Sequence, residues 1–315
     1  MKVFITGAEG FVGGHLIDHL VARGHVVYGT TYSEGLIGSH IPSGVDIRQC
    51  DILDADSIAR LLAELQPEAI VHLAAVSSVS IARSRPAATA QVNILGAFNV
   101  LQAASELGHK PKVLLVSTSE VYGSVAESLC PITEHHPVQP QSIYAASKAS
   151  AEVLATFFER SREVPVIIVR PFNHTGPRQA PTFVCSAFAR QIAQIEAGLV
   201  EPVIHVGNLE ARRDFLDVRD VAHAYTLALD KAKSGVIYNI CSGRAVSIGE
   251  ILEMLLSLSD MKIDVEVSKD LLRPLDIPLL VGSHERFTEA TGWVPTVPLA
   301  ETLEALLMFW RGRVG

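Results

Sequence analysis

Tyr144 and Lys148 stand four residues apart in Tyr144-Ala145-Ala146-Ser147-Lys148, a spacing that puts both side chains on one face of a helix. A phenol with an ordinary pKa of about 10 neither gives nor takes a proton readily at neutral pH. An adjacent ammonium stabilises the phenolate and lowers that value. Such a pair can pass a proton to or from an alcohol or sugar oxygen during a redox step. Upstream, Ser117-Thr118-Ser119-Glu120-Val121-Tyr122-Gly123 follows an apolar run, and a hydroxyl such as that of Thr118 can hold the same oxygen.

A YxxxK spacing is common by chance, but here it is joined by a second pattern at the N-terminus. Thr6-Gly7-Ala8-Glu9-Gly10-Phe11-Val12-Gly13 follows the first apolar run and opens the first amphipathic one. Gly7, Gly10 and Gly13 permit a tight turn and let backbone approach a pyrophosphate, which then rests on the helix start at Phe11 and Val12. The two patterns together predict a nicotinamide dinucleotide, whose positive ring in the oxidised state further favours the phenolate. At the second run's end, Gly29-Thr30-Thr31-Tyr32-Ser33-Glu34 has neither an acid at the tip for a ribose hydroxyl nor an arginine for a 2′-phosphate, and Glu34 either reaches back or is a solvated loop charge. Thr31 therefore lines the site with NAD and NADP both open, leaning to NADP. Asp51-Ile52 either faces the adenine edge or belongs to the helix start before Asp54. Leu73-Ala74-Ala75 is small enough to let the cofactor backbone close in.

The elements that must position these residues alternate. Lys2–Thr6, 45–50, 69–73, 112–117, 166–170 and Val26–Thr31 are short and rich in β-branched residues, as strands buried on both faces of a parallel sheet are. Segments 11–23, 56–65, 88–107 and 144–162 carry helical spacing. Pro67, Pro111 and Pro165 fall just before strands, where a helix must have ended. Beyond Arg170 the rhythm is irregular, with helical stretches 184–198 and 247–258, and a helix and strand over 218–240 that return to the sheet. The expected fold class is α/β: a doubly wound parallel Rossmann sheet with a smaller, interleaved C-terminal substrate-binding domain. Residues 1–170, rejoined by about 216–243, form the dinucleotide-binding part, and 171–315 mainly the other.

With 26 Lys and Arg against 34 Asp and Glu, the 315-residue chain carries −8, which argues against a nucleic-acid partner. Cys50, Cys130, Cys185 and Cys241 show no CxxC pair, so neither a metal site nor a disulfide framework is expected. No apolar run approaches the roughly 20 residues of a membrane span. No leader peptide is visible, and the expected location is cytoplasmic.

The segments TGAEGFVG, HLAA, STSEVYG, YAASK and RPFNHTGP occur in an order that resembles the extended short-chain dehydrogenase/reductase family over essentially the whole chain. In the second half, Phe172–Gln179, the run PTFVCSAFARQIAQIEAG, Val206–Phe215, Leu272–Pro278 and Gly292–Pro295 are similar to the branch handling GDP-linked 6-deoxyhexoses. The resemblance implies a catalytic set of Thr118, Tyr144 and Lys148. Glu120 stands where dehydratases of this branch take a C5 proton, and a purely structural carboxylate is the equal alternative. It also implies that Arg213 and Arg273 hold the diphosphate, Asp276 the nucleoside ribose, and Asn173 the pyrophosphate or sugar. Arg178 either caps the substrate lid or is a plain surface arginine. The first loop departs from the dehydratases' GQDG type, TTYSEGLIGSH lacks their paired arginines, and the chain has no room for their insertions. These departures imply NAD(P)H-dependent reduction at C4 of GDP-4-dehydro-6-deoxy-D-mannose to GDP-D-rhamnose. A 4,6-dehydratase or 4-epimerase with internally recycled cofactor is the alternative. A non-catalytic nucleotide sensor would lose Tyr144 and Lys148, which are present. Relatives pair through helices matching 88–107 and 144–162, implying a homodimer.

Overall fold

The computed structural model describes residues 1–32, 41–42, 44–77, 79–272 and 277–314. Seven strands form one parallel sheet: β1 (Lys2–Thr6), β2 (Val26–Thr31), β3 (Asp46–Gln49), β4 (Ala69–His72), β5 (Lys112–Val116), β6 (Val166–Pro171) and, returning late in the chain, β10 (Ile237–Ile240). Their order is β10-β6-β5-β4-β1-β2-β3, so the winding reverses between β1 and β4. At such a switch point the connections leave in opposite directions and open a crevice beyond the carboxyl ends of the strands.

Successive residues of each strand feed opposite faces, which is why the strands read as unbroken apolar runs. On one face Val3, Ile5, Val71, Leu114 and Ile167 pack with Leu16, Ile17 and Leu20 of α1 (Phe11–Ala22) and with Val221, Tyr225 and Ala228 of α8 (Val218–Lys231). On the other, Phe4, Ile70, Val113 and Ile168 meet α2 (Ala55–Leu65), α5 (Gly96–Glu106) and α6 (Ile143–Arg162).

The expected helix over 88–107 is interrupted. After α3 (Val79–Ser84), α4 (Pro86–Ala90) passes through a π turn at Gln91–Leu95 before α5 begins. The widened turn carries the buried Asn93, whose polar contacts lie outside its own helix. Gly96 follows because Ile52 crowds it: a Cβ there would collide with Ile52 Cδ1.

A smaller lobe has its own core, where α7 (Val184–Glu196), α9 (Ile248–Leu256) and α11 (Leu299–Arg311) bury Phe188, Ile192, Ile251, Leu255, Leu303 and Leu307 together. Two small sheets border it. β7 (Asn173–Thr175) pairs with β9 (Arg212–Asp217), which also takes β11 (Ala245–Ser247) and β13 (Leu279–Leu280); β8 (Val203–Val206) pairs with β12 (Asp264–Val267). These two- to six-residue strands are too short to show a period in the sequence.

Trp293, beyond α10 (Glu285–Thr291), is 1 % exposed and packs edge-on against Phe287. Its indole donates to the Asp220 carbonyl on α8 at 3.2 Å, which ties the chain's last third to the main sheet. Trp293→Ala is expected to lower the unfolding free energy by about 3–5 kcal/mol, measured by denaturant titration.

Candidate active site

The glycine loop lies hard against the end of β4. Gly7 adopts φ +71°, and a Cβ on it would stand 2.9 Å from both Cα and N of Ala74. A Cβ on Gly13 would meet the Gly7 and Ala8 carbonyl oxygens at 2.6 Å. Helix α1 opens after Gly10 with no side-chain cap and no acidic residue in its first turn. An open helix start beside backbone stripped of side chains fits a dinucleotide pyrophosphate on the N–H groups of Phe11, Val12 and Gly13. The Phe11 ring itself is committed elsewhere, stacked on His174 at 6.1 Å and edge-on to His15 at 5.6 Å. Thr31 is buried at the tip of β2. Asp51 accepts the Leu53 N–H at 2.9 Å, closing its own turn, while Ile52 belongs to the core beneath α5.

Helix α6 begins where Ser142 accepts the Ala145 N–H at 3.0 Å. That start places Tyr144 at the carboxyl end of the sheet and Lys148 one turn deeper, almost fully buried. Burial pushes the Tyr144 phenol up, the Glu120 charge adds to the rise, and a hydrogen bond with Thr118 opposes it. The phenol therefore stays protonated at neutral pH, and the shift runs opposite to the lowering expected from the adjacent ammonium, because burial and the Glu120 charge outweigh it. Burial brings Lys148 down to about 8, against the opposing pull of Glu152. Burial, then the Lys148 charge, also holds His72 neutral at about 3, with its Nδ1 2.8 Å from the Thr6 hydroxyl. Thr118 caps the 3-10 turn Ser119–Tyr122, accepting the Glu120 N–H at 3.3 Å. Ser142 reaches the Glu120 carboxylate at 3.5 Å.

Three residues missed in the sequence hold this set in place. Glu152, one turn beyond Lys148, takes Nε of Arg170 at 3.0 Å, Nη2 at 2.6 Å and the hydroxyl of Ser117. Arg170 also lies 4.8 Å over the Tyr122 ring. Asn93 donates to Ser147 Oγ at 2.9 Å and accepts the Val76 N–H at 2.8 Å, joining the loop after β4 to α6. An asparagine inside an apolar helical run was the one visible signal. Glu152 and Arg170 look like ordinary surface charges until the fold buries them.

Among residues expected to meet substrate, Asn173 on β7 and Arg213 on β9 lie on adjacent strands. Arg213 Nη1 donates to the Ile277 carbonyl at 2.5 Å and to that of Arg212 at 2.9 Å. Arg273 and Asp276 lie outside the described residues, as does Glu34. Arg178 lies on the loop between β7 and α7. Its guanidinium is held at 2.8 Å by Asp18 and at 3.3 Å by His15, so it clamps the loop after β7 onto α1. Among the described residues no cluster of three His, Cys, Asp or Glu side chains could hold a metal ion, and no helix is long and apolar enough to cross a membrane.

The low Lys148 value fixes the sign of a pH effect. Its ammonium is lost as pH rises through about 8, well before the ordinary lysine value of 10.5. Activity that depends on the ammonium should therefore fall above about 8 in a pH–rate profile. Glu152→Gln removes the carboxylate that holds the value up, so the alkaline limb should move to lower pH. The same variant leaves Arg170 uncompensated and should lose about 3–5 kcal/mol of stability in urea unfolding.

The comparisons with known proteins agree with this geometry. The family model for GDP-mannose 4,6 dehydratase matches residues 4–306. GDP-6-deoxy-D-mannose reductase of Pseudomonas aeruginosa is 36% identical over 315 residues, covering 99% of this chain and 98% of the relative. The solved structure of RMD from the same organism, complexed with NADPH, superposes with a TM-score of 0.87 at 36% identity and covers 100% of both chains. UDP-glucose 4-epimerase from Thermus thermophilus, in complex with NAD, gives 0.89 at 30% identity with the same coverage. A match of this extent, on a doubly wound sheet with the tyrosine and lysine at its carboxyl edge, establishes that the chain belongs to the GDP-mannose 4,6-dehydratase family of extended short-chain dehydrogenases/reductases.

Proposed function

We propose that the chain reduces the C4 keto group of GDP-4-dehydro-6-deoxy-D-mannose to give GDP-D-rhamnose. The observation that supports this reading most is the half-buried, protonated Tyr144 bonded to Thr118 one turn from Lys148, in a chain similar along its whole length to a GDP-6-deoxy-D-mannose reductase. NADPH or NADH would lie on Gly7, Gly10 and the start of α1, with Thr31, Asp51, Ile52 and Leu73–Ala75 along its path. The phosphorylated form is put first because the similar P. aeruginosa structure holds it. Bound there, the reduced dinucleotide supplies the hydride that C4 receives.

Tyr144 then gives its proton to the C4 oxygen as negative charge develops on it, and Thr118 orients that oxygen. Lys148 holds the nicotinamide ribose and stabilises the phenolate left behind. Arg213 and Arg273 meet the diphosphate with guanidinium forks, Asp276 accepts from the nucleoside ribose, and Asn173 reaches the pyrophosphate or sugar. This reading assigns the dinucleotide to residues 1–170 with 216–243, and the nucleotide sugar mainly to 171–315. It places the enzyme in the cytoplasm.

A 4,6-dehydratase is the second reading, favoured by the Glu120 carboxylate close enough to Tyr144 to raise its pKa. The two readings differ in cofactor consumption. Mixed with the 4-keto sugar and one equivalent of NADPH, the protein should oxidise the cofactor stoichiometrically, followed by nicotinamide absorbance. Tyr144→Phe should lower kcat by about a hundredfold or more. Unchanged absorbance together with conversion of GDP-mannose would establish the dehydratase.

The same reading includes a homodimer. Leu95, Phe98, Val153 and Phe157 are exposed along α6 and the helix pair containing the π turn, whereas Phe158 is core. Ala90, Ile94, Leu95, Phe98 and Leu154 line an apolar groove between them, a face that a second copy would cover as a four-helix bundle. Light scattering should give twice the monomer mass, and Val153→Glu with Phe157→Glu should halve it.

A further inference from the structure

Among the described residues, the tip of β2 carries no acid and no arginine of its own, yet a carboxylate stands beside it. It belongs to Glu9, in the middle of the glycine loop. Glu9 Oε1 accepts the Tyr32 N–H at 3.4 Å, across the gap between the loop and the strand end. Its other oxygen, Oε2, is buried with no hydrogen-bond partner among the described residues. A carboxylate oxygen kept from water without a donor is costly, and it calls for a donor from a bound molecule or an ordered water.

In a doubly wound sheet the adenosine ribose lies over the second strand's tip, while the pyrophosphate rests on the loop from which Glu9 projects. The cation on the adjoining strand is already taken. Arg48, in register with Thr30, is bound to Asp46 at 2.9 Å and to Glu64 at 2.8 Å.

We propose that Glu9 is the residue that sets the balance between the two dinucleotides. Its carboxylate accepts hydrogen bonds from the ribose hydroxyls of NADH, the task usually given to an acid at the strand tip. Toward NADPH the same charge faces a 2′-phosphate and opposes it. NADPH is then used against a repulsion that Glu9 introduces, and the chain's preference for it is narrower than a neutral residue would permit. This inference rests on the dinucleotide site proposed above.

The test needs no sugar substrate. Purified wild type, Glu9→Gln and Glu9→Ser are titrated with NADH and with NADPH, and nicotinamide fluorescence gives each Kd. In both variants the ratio of NADH Kd to NADPH Kd should rise by about tenfold or more, through weaker NADH binding, tighter NADPH binding or both. Partial unfolding of a variant cancels in that ratio, because both titrations use one preparation. An unchanged ratio would overturn the role of Glu9 and leave the reductase reading standing. Failure of wild type to bind either dinucleotide would overturn both.

Discussion

A carboxylate removed from water must be met by donors and opposite charge, and Glu152 takes donors from two strands and faces a charge on its own helix. Arg170 reaches it from β6, Ser117 from the end of β5, and the Lys148 charge from one turn earlier on its own helix. Satisfying that one group locks α6 against two strand ends at the level where Thr118 and Tyr144 must meet. The arrangement is expensive to break, because each member left alone would be a buried charge or an unpaired donor. The Tyr144 phenol is thus positioned by polar groups buried beneath it, and its register is shared by the helix and the sheet.

The crevice above these residues depends on a second constraint, which is steric. Reversal of the winding between β1 and β4 opens a gap, but only backbones without side chains can line it closely. Gly7 against Ala74 and Gly13 against the Gly7 carbonyl leave no space for a Cβ. Asn93, set on a π turn, then fastens the loop after β4 to α6. The glycine loop, the end of β4 and the helix bearing Tyr144 are consequently fastened to one another.

Beyond β6 the chain leaves the sheet, builds a lobe with its own core, and returns through α8 and β10. The loop after β7 is clamped to α1 by Arg178, and β9 carries Arg213 beside the Ile277 carbonyl. A diphosphate bound by that lobe would therefore be held by a surface anchored at both ends to the cofactor-binding sheet. That anchoring is what a hydride transfer between two separately bound molecules requires.

The sequence by itself determined the sheet strands, the glycine loop and the helical face shared by Tyr144 and Lys148. Each of these is written locally, as an apolar run, a backbone without side chains, or a four-residue spacing. The tertiary structure alone decided that Glu152 and Arg170 are core residues, that the helix before β5 is broken at Asn93, and that Arg178 grips α1. It also decided that the Glu9 carboxylate stands at a strand tip twenty-odd residues away, a tip that reads as uncharged along the chain. The difference is physical. Periodicity and steric permissiveness act within one turn or one strand, whereas the environment of a charge depends on which distant elements close around it.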